Sequence, residues 1–199
     1  MPAESSNTPV AKFFKPYTSY GFYYNPAQPA NKEFRRLYKH MGWQTPRGIE
    51  PCRASRIARF QFGQALIQQF QESFGKDVDS LDSWQALCAA VYIDPVPDTL
   101  EEAQIAFERT HVNLLDLTEN HINKREIKRF PTVKALSEYT KGTGRFFPRD
   151  DVQEGGLLCH LLRHINNPRI DDEALKNGGR RLPGGKWRGR HAKREGGWR

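Results

Sequence analysis

The stretch CHLLRH gathers the residue types most able to do chemistry in this chain, Cys159, His160 and His164 within six positions. On a helix His160 and His164 stand one turn apart and could share a zinc ion. The motif supplies no fourth ligand, and the glutamate of an HExxH metalloprotease is missing. The spacing therefore favours a plainer arrangement: a solvent-facing histidine pair beside a buried cysteine, with no metal site.

Nucleophilic catalysis needs a thiol or hydroxyl held against a base. Cys88 falls on an apolar helical stripe and Cys159 beside leucines, so both read as small core residues. Cys52 follows Pro51 next to Arg53 and Arg56, whose charges would favour a thiolate. With three widely spaced cysteines and no CxxC, reduced thiols in an intracellular protein are expected. THVNLLDLTENH crowds Thr110, His111, Asn113, Asp116 and His121 into a mostly apolar run. A buried hydrogen-bond network joining two helices explains them more economically than an active site. The sequence contains no GxxxxGK[ST] loop, GxGxxG turn or GxSxG elbow. The expectation is a non-enzymatic protein with no catalytic residues and no cofactor.

Charge points to a different activity. From Lys176 onward nine basic residues face one acidic residue, Glu195, so this segment holds the whole net charge of +8 and positions 1–175 balance to zero. The candidate nucleic-acid-binding residues are Arg180, Arg181, Lys186, Trp187, Arg188, Arg190, Lys193, Arg194, Trp198 and Arg199. Dense positive charge attracts phosphate polyanions, guanidinium forks match phosphate oxygens, and indole faces stack on unpaired bases. Glycine and arginine at this density cannot bury enough apolar surface to offset ordering, so 171–199 is expected to be a disordered basic tail. Gly178, Gly179, Gly184 and Gly185 have no strand or helix to orient their amides, which argues for flexibility and against a phosphate cradle. The cluster KWRGRHAKR would equally suit nuclear import or an acidic partner.

The body that carries this tail has a composition of 37% hydrophobic and 27% charged residues, which suits one folded domain with polar ends. Residues 1–11 are small, polar and proline-containing and are expected to be disordered. Seven aromatic residues from Phe13 to Tyr24 follow, in a segment punctuated by Pro16, Gly21, Pro26 and Pro29. Proline and glycine resist regular helix, so this reads as an extended aromatic strap packed over the body.

Apolar spacing then predicts helices. Phe34, Leu37 and Met41 share one face, with Asn31 as cap and Gly42 as stop. Phe60, Gly63, Ile67, Phe70 and Phe74 mark a central helix ending at Gly75. Leu81, Trp84, Leu87, Cys88 and Val91 follow an Asp79 or Ser80 cap, and a Thr99/Glu102 capping box opens an apolar face reaching about residue 118. Pro131–Thr140, stopped by Gly142 and Gly144, and a stripe of Leu158, Leu161, Leu162 and Ile165 complete the set. No alternating pattern predicts a strand, so the expected fold is all-α, a single bundle of about six helices over residues 12–170. No run approaches the roughly 18 apolar residues of a membrane span, and MPAESSNTPVAKFF offers no secretory signal.

The pattern FF-x2-Y-x4-F-Y-x-N-P-x2-P-x3-EF-x-RL-x4-GW, from Phe13 to Trp43, is followed by WQALC, THVNLLDL, FPTVKALSEYT and LLCHLLRHI. It resembles a family of small helical proteins from filamentous fungi, over residues 13 to 165. Tyr24, between Tyr23 and Asn25, departs from the family spacing. The resemblance implies a compact helical intracellular domain and brings no activity, cofactor or site with it. The expected function is nucleic-acid binding through the tail, to RNA or single-stranded DNA, with the nucleus as one location. The alternative is a protein-interaction module whose strap or grooves hold a partner peptide while the tail serves import or an acidic partner. Oligomeric state is left open.

Overall fold

Twenty-two consecutive residues without proline, Arg53–Phe74, form the long helix α3. At 1.5 Å per residue it spans about 33 Å and serves as the spine of the protein. The computed structural model describes residues 7–46, 49–148, 156–169, 171, 180–181 and 187–188, and the side chains of the last four are not described. Before α3 come α1 (Pro9–Phe14), a 3-10 helix (Lys15–Tyr20) and α2 (Ala30–His40). After it come α4 (Leu81–Ala90), α5 (Leu100–Glu108), β1 (His111–Val112), α6 (Leu114–Ile122), β2 (Arg129–Phe130), α7 (Val133–Thr143), α8 (Leu157–Leu161), β3 (Arg180–Arg181) and β4 (Trp187–Arg188). The fold is mainly helical, with two antiparallel pairs of two-residue strands, β1 with β2 and β3 with β4, where no strand was expected.

Two apolar clusters share α3. Its first half contributes Ala58, Phe62, Ala65 and Leu66 to a core built with Val10, Phe14, Phe22, Leu37, Trp43 and Leu115. Its second half adds Ile67, Phe70 and Phe74 to a core with Trp84, Leu87, Cys88, Val91, Phe107, Leu117 and Leu157. Burial on two sides explains why one expected inner residue is misplaced. Phe60 is 55% exposed, next to Ile57 at 45%, while Phe62 and Leu66 turn inward.

The aromatic segment does pack on the body, but it is not extended. Pro9 opens α1 and Pro16 lies in the first turn of the 3-10 helix, positions whose missing amide hydrogen no helix needs. Thr8 caps α1 by accepting the Ala11 amide at 3.2 Å, and the buried Val10 amide donates to Gln69 Oε1 at 3.3 Å. Ordered backbone thus reaches into the segment expected to be disordered, and residues 1–6 lie outside the described residues. Phe14 stacks on Tyr24 with ring centroids 4.5 Å apart, and Phe34 on Phe62 at 4.4 Å. Tyr20 and Tyr23 remain exposed.

Local capping follows the sequence closely in three places. Ser80, Thr99 and Thr132 accept the amides of Ser83, Glu102 and Ala135 at the starts of α4, α5 and α7. Thr99 also donates its hydroxyl to the Glu102 carboxylate at 2.8 Å. The expected helix from Thr99 to residue 118 is two helices. Asn113 starts α6 by accepting the amides of Leu115 and Asp116, and such a cap ends one helix to begin another. Asn31 does not cap α2; its amide donates to the Gly144 carbonyl at 3.0 Å. That contact ties the start of α2 to the end of α7, where Gly144 has φ +65° and a Cβ would come within 3.1 Å of Arg35 Nη2. The left-handed backbone favours glycine there, and any side chain would also have to displace the Arg35 guanidinium by a few tenths of an ångström.

Candidate functional site

Asp116, Glu119 and Arg145 form the densest ionisable cluster among the described residues, at a cavity of about 240 Å³ that Tyr24 and Tyr139 also line. Arg145, 9% exposed, pairs with both carboxylates. Burial pushes the carboxyls of Asp116 and Glu119 above their ordinary values, against the pull of Arg145. Burial and the hydrogen bond to Asp116 hold the Tyr139 hydroxyl up at about 12. Burial, with Glu119 and Glu33 nearby, raises Tyr24 further. Every one of these groups is committed to holding elements together. Glu119 Oε1 accepts the Ala30 amide at 2.8 Å, starting α2, while its other oxygen meets Arg145. Asn113 donates to Thr140 Oγ1 at 3.0 Å and to the Arg145 carbonyl at 2.9 Å, joining α6 to α7. For Asn113 and Asp116 the expected buried network is therefore present. His121 is exposed and packs its ring on Phe74 instead.

The CHLLRH histidines are not a solvent-facing pair. His160 is buried, with Nε2 3.0 Å from Glu108 Oε1 and its ring edge-on to Trp84. Because α8 stops at Leu161, His164 leaves the helix and pairs through Nδ1 with Asp171 at 2.9 Å. Cys159 is partly exposed. No three histidine, cysteine or carboxylate side chains among the described residues come together to hold a metal ion. Cys88 is fully buried and its thiol is pushed up to about 11. Cys52 is exposed at the N-cap of α3, and its thiol is lowered by hydrogen bonding from Ser55 and the helix amides. The cause is thus the first turn and not the neighbouring arginines; Arg56 pairs with Glu50 at 2.7 Å.

Of the candidate nucleic-acid-binding residues, Arg180, Arg181, Trp187 and Arg188 form the ladder of β3 and β4. Its register sets Arg180 opposite Arg188 and Arg181 opposite Trp187. Lys186, Arg190, Lys193, Arg194, Trp198 and Arg199 lie outside the described residues, as does the rest of the expected tail except Asp171, which is buried against His164 and so belongs to the folded body and not to a disordered tail.

The neutral sum over the body conceals a segregation that counting its total missed. Lys32–Arg59 carries eight basic residues against Glu33 and Glu50, whereas Asp77–Glu108 carries eight acidic residues and no lysine or arginine. The first stretch meets the N-terminal half of α3 and the second its C-terminal half. At the basic end a groove of about 480 Å³ runs between α2 and α3 and is closed by residues 144–148. Phe34, Tyr38, Phe62, Phe146 and Phe147 line it, with Arg35 and Arg59, and no carboxylate among the described residues does. Arg35 Nη2 donates to the Thr143 carbonyl at 3.0 Å, and neither Arg35 nor Arg59 is in an ion pair among the described residues. Sequence spacing could not assemble this groove, because its rings come from three distant segments. Its one local signal is arginine at 53, 56 and 59, in the opening turns of a helix that has no acidic residue in its first turn.

None of the described helices is long and apolar enough to cross a membrane. The chain matches no protein-family model, no curated protein and no solved structure.

Proposed function

We propose that this protein binds single-stranded nucleic acid without catalysing a reaction, and that its basic C-terminal segment supplies the main attraction. The observation that carries the reading is the unbalanced charge from Lys176 onward, nine basic residues against one acidic, interleaved with Trp187 and Trp198. Such a segment releases counterions from a phosphate backbone and offers stacking faces to unpaired bases. The register is compatible with it, since the β3–β4 ladder sets three arginines and a tryptophan at facing positions of one short hairpin. Arg53 and Arg56 support it from the body. Positive charge in the opening turn of a helix opposes the helix dipole, so these residues are unfavourable where they stand. RNA and single-stranded DNA are the proposed partners, and the nucleus the proposed location.

The test is a salt titration of binding to a labelled oligouridylate. For single strands the logarithm of affinity falls by about 0.7 per phosphate neutralised, so nine contacts give a slope of about −6. A full-length variant with those nine residues changed to glutamine should bind weakly and with a shallow slope. Equal affinity for the two proteins removes the tail from the reading.

A second reading is favoured by Ile57 and Phe60, an exposed apolar pair on the outer face of α3. It makes the body a helical interaction module, with the tail serving nuclear import or an acidic partner. Fusing residues 176–199 to an inert reporter separates import from binding.

A further inference from the structure

We infer that the groove between α2 and α3 is a base-stacking site for an unpaired strand, so that the folded body reads bases while the tail grips phosphates. The inference rests on the nucleic-acid reading above.

Three features of the groove select this occupant. First, it is lined by flat rings. Phe146 is 47% exposed, and no other aromatic ring among the described residues stacks on it. Tyr38, half-buried and packed edge-on to Trp43 at 5.7 Å, lines the same groove. A ring left in water is a ready platform for a base, because every base has a face to offer.

Second, the described lining is cationic. Arg35 is held by the carbonyls of Asn31 and Thr143 and by no acid among the described residues, while Arg59, also lining the groove, is exposed. Arg53 and Arg56 precede it on α3, where the helix amides add positive potential. A ligand with a flat apolar centre and negative charge on its flanks matches this arrangement, and a nucleotide within a strand has that form. Third, the volume of about 480 Å³ lies in the range of small-ligand sites. A duplex is disfavoured, since its base faces are stacked on one another and only base edges reach its grooves.

The experiment uses the full chain with an oligouridylate of about twelve nucleotides and an abasic ribose-phosphate strand of equal length. Phe146→Ala is expected to weaken oligouridylate binding about tenfold and to leave the abasic strand unaffected. Phe146→Trp should restore the difference. Arg59→Gln, a change at an exposed position, should weaken binding of both strands and reduce the salt slope by about 0.7. Photocrosslinking with 4-thiouridine should attach the strand to peptides containing Tyr38 or Phe146. If Phe146→Ala binds oligouridylate as the wild type does and crosslinks fall only on Trp187 and Trp198, the groove is overturned and the tail reading stands. If the full chain binds neither strand, both fall together.

Discussion

Glu119 on α6 caps α2 by accepting the amide of Ala30, a residue 89 positions earlier in the chain, at 2.8 Å. Arg145 holds the other carboxylate oxygen and also Asp116, so one guanidinium ties α6 to the end of α7 while Glu119 ties it to α2.

Removing that guanidinium would strand two buried carboxylates. Arg145→Ala should cost about 3–5 kcal/mol in chemical denaturation, the range for breaking a buried ion pair from one side. A loss under about 1 kcal/mol would mean that water reaches both acids and that the network is dispensable.

The same pair gives a signed dependence on pH. Asp116 and Glu119 have carboxyls raised on folding, so the native state holds their protons more tightly than the unfolded chain does. Their contribution is complete below the unfolded values of about 3.8 and 4.5 and is lost as pH climbs through the raised native values. Glu33, lowered by its hydrogen bonds and its pairing with Arg36, acts in the opposite sense, contributing above its unfolded value and losing that as pH falls. Stability measured by urea titration should therefore decline less steeply above about pH 4.5 in Glu119→Gln than in the wild type. An unchanged slope would remove Glu119 as its source.

Asn113 combines two jobs that substitution can separate. Asn113→Asp keeps the oxygen that caps α6 but loses the donor to the Arg145 carbonyl, whereas Asn113→Ala loses both. Alanine should cost about 3 kcal/mol, and aspartate more than that at neutral pH, where its buried charge faces the Arg145 carbonyl, but less in mild acid, where its protonated oxygen can donate again. A cost for aspartate that does not change with pH would overturn this reading.

Thiol chemistry should sort the cysteines by place. Cys52, exposed and lowered, should react with a disulfide reagent in the folded protein well before Cys88, buried and raised to about 11. Mass spectrometry after brief labelling reads the order. Labelling of Cys88 ahead of Cys52 would overturn the placement of both.

Much of the helical plan was legible because caps act within a few residues. Ser80 and Thr99 announce their helices locally, and so do the apolar faces that follow, whereas the Thr132 cap of α7 went unread. What escaped depends on tertiary partners. Periodicity could not tell Phe60 from Phe62 on a helix buried along two sides, nor divide Leu100 from Leu114 where the apolar face runs on through Asn113. Pro9 and Pro16 read as breakers, although helix first turns accept them. The basic tail was visible as composition; the aromatic groove was not, because Tyr38, Phe62 and Phe146 meet only in the fold.

The segregation of charge along α3 gives the folded body a permanent electrical orientation, apart from anything the tail does. Approaching an anionic thread, such a body experiences a torque and turns its α2 side forward before any contact forms.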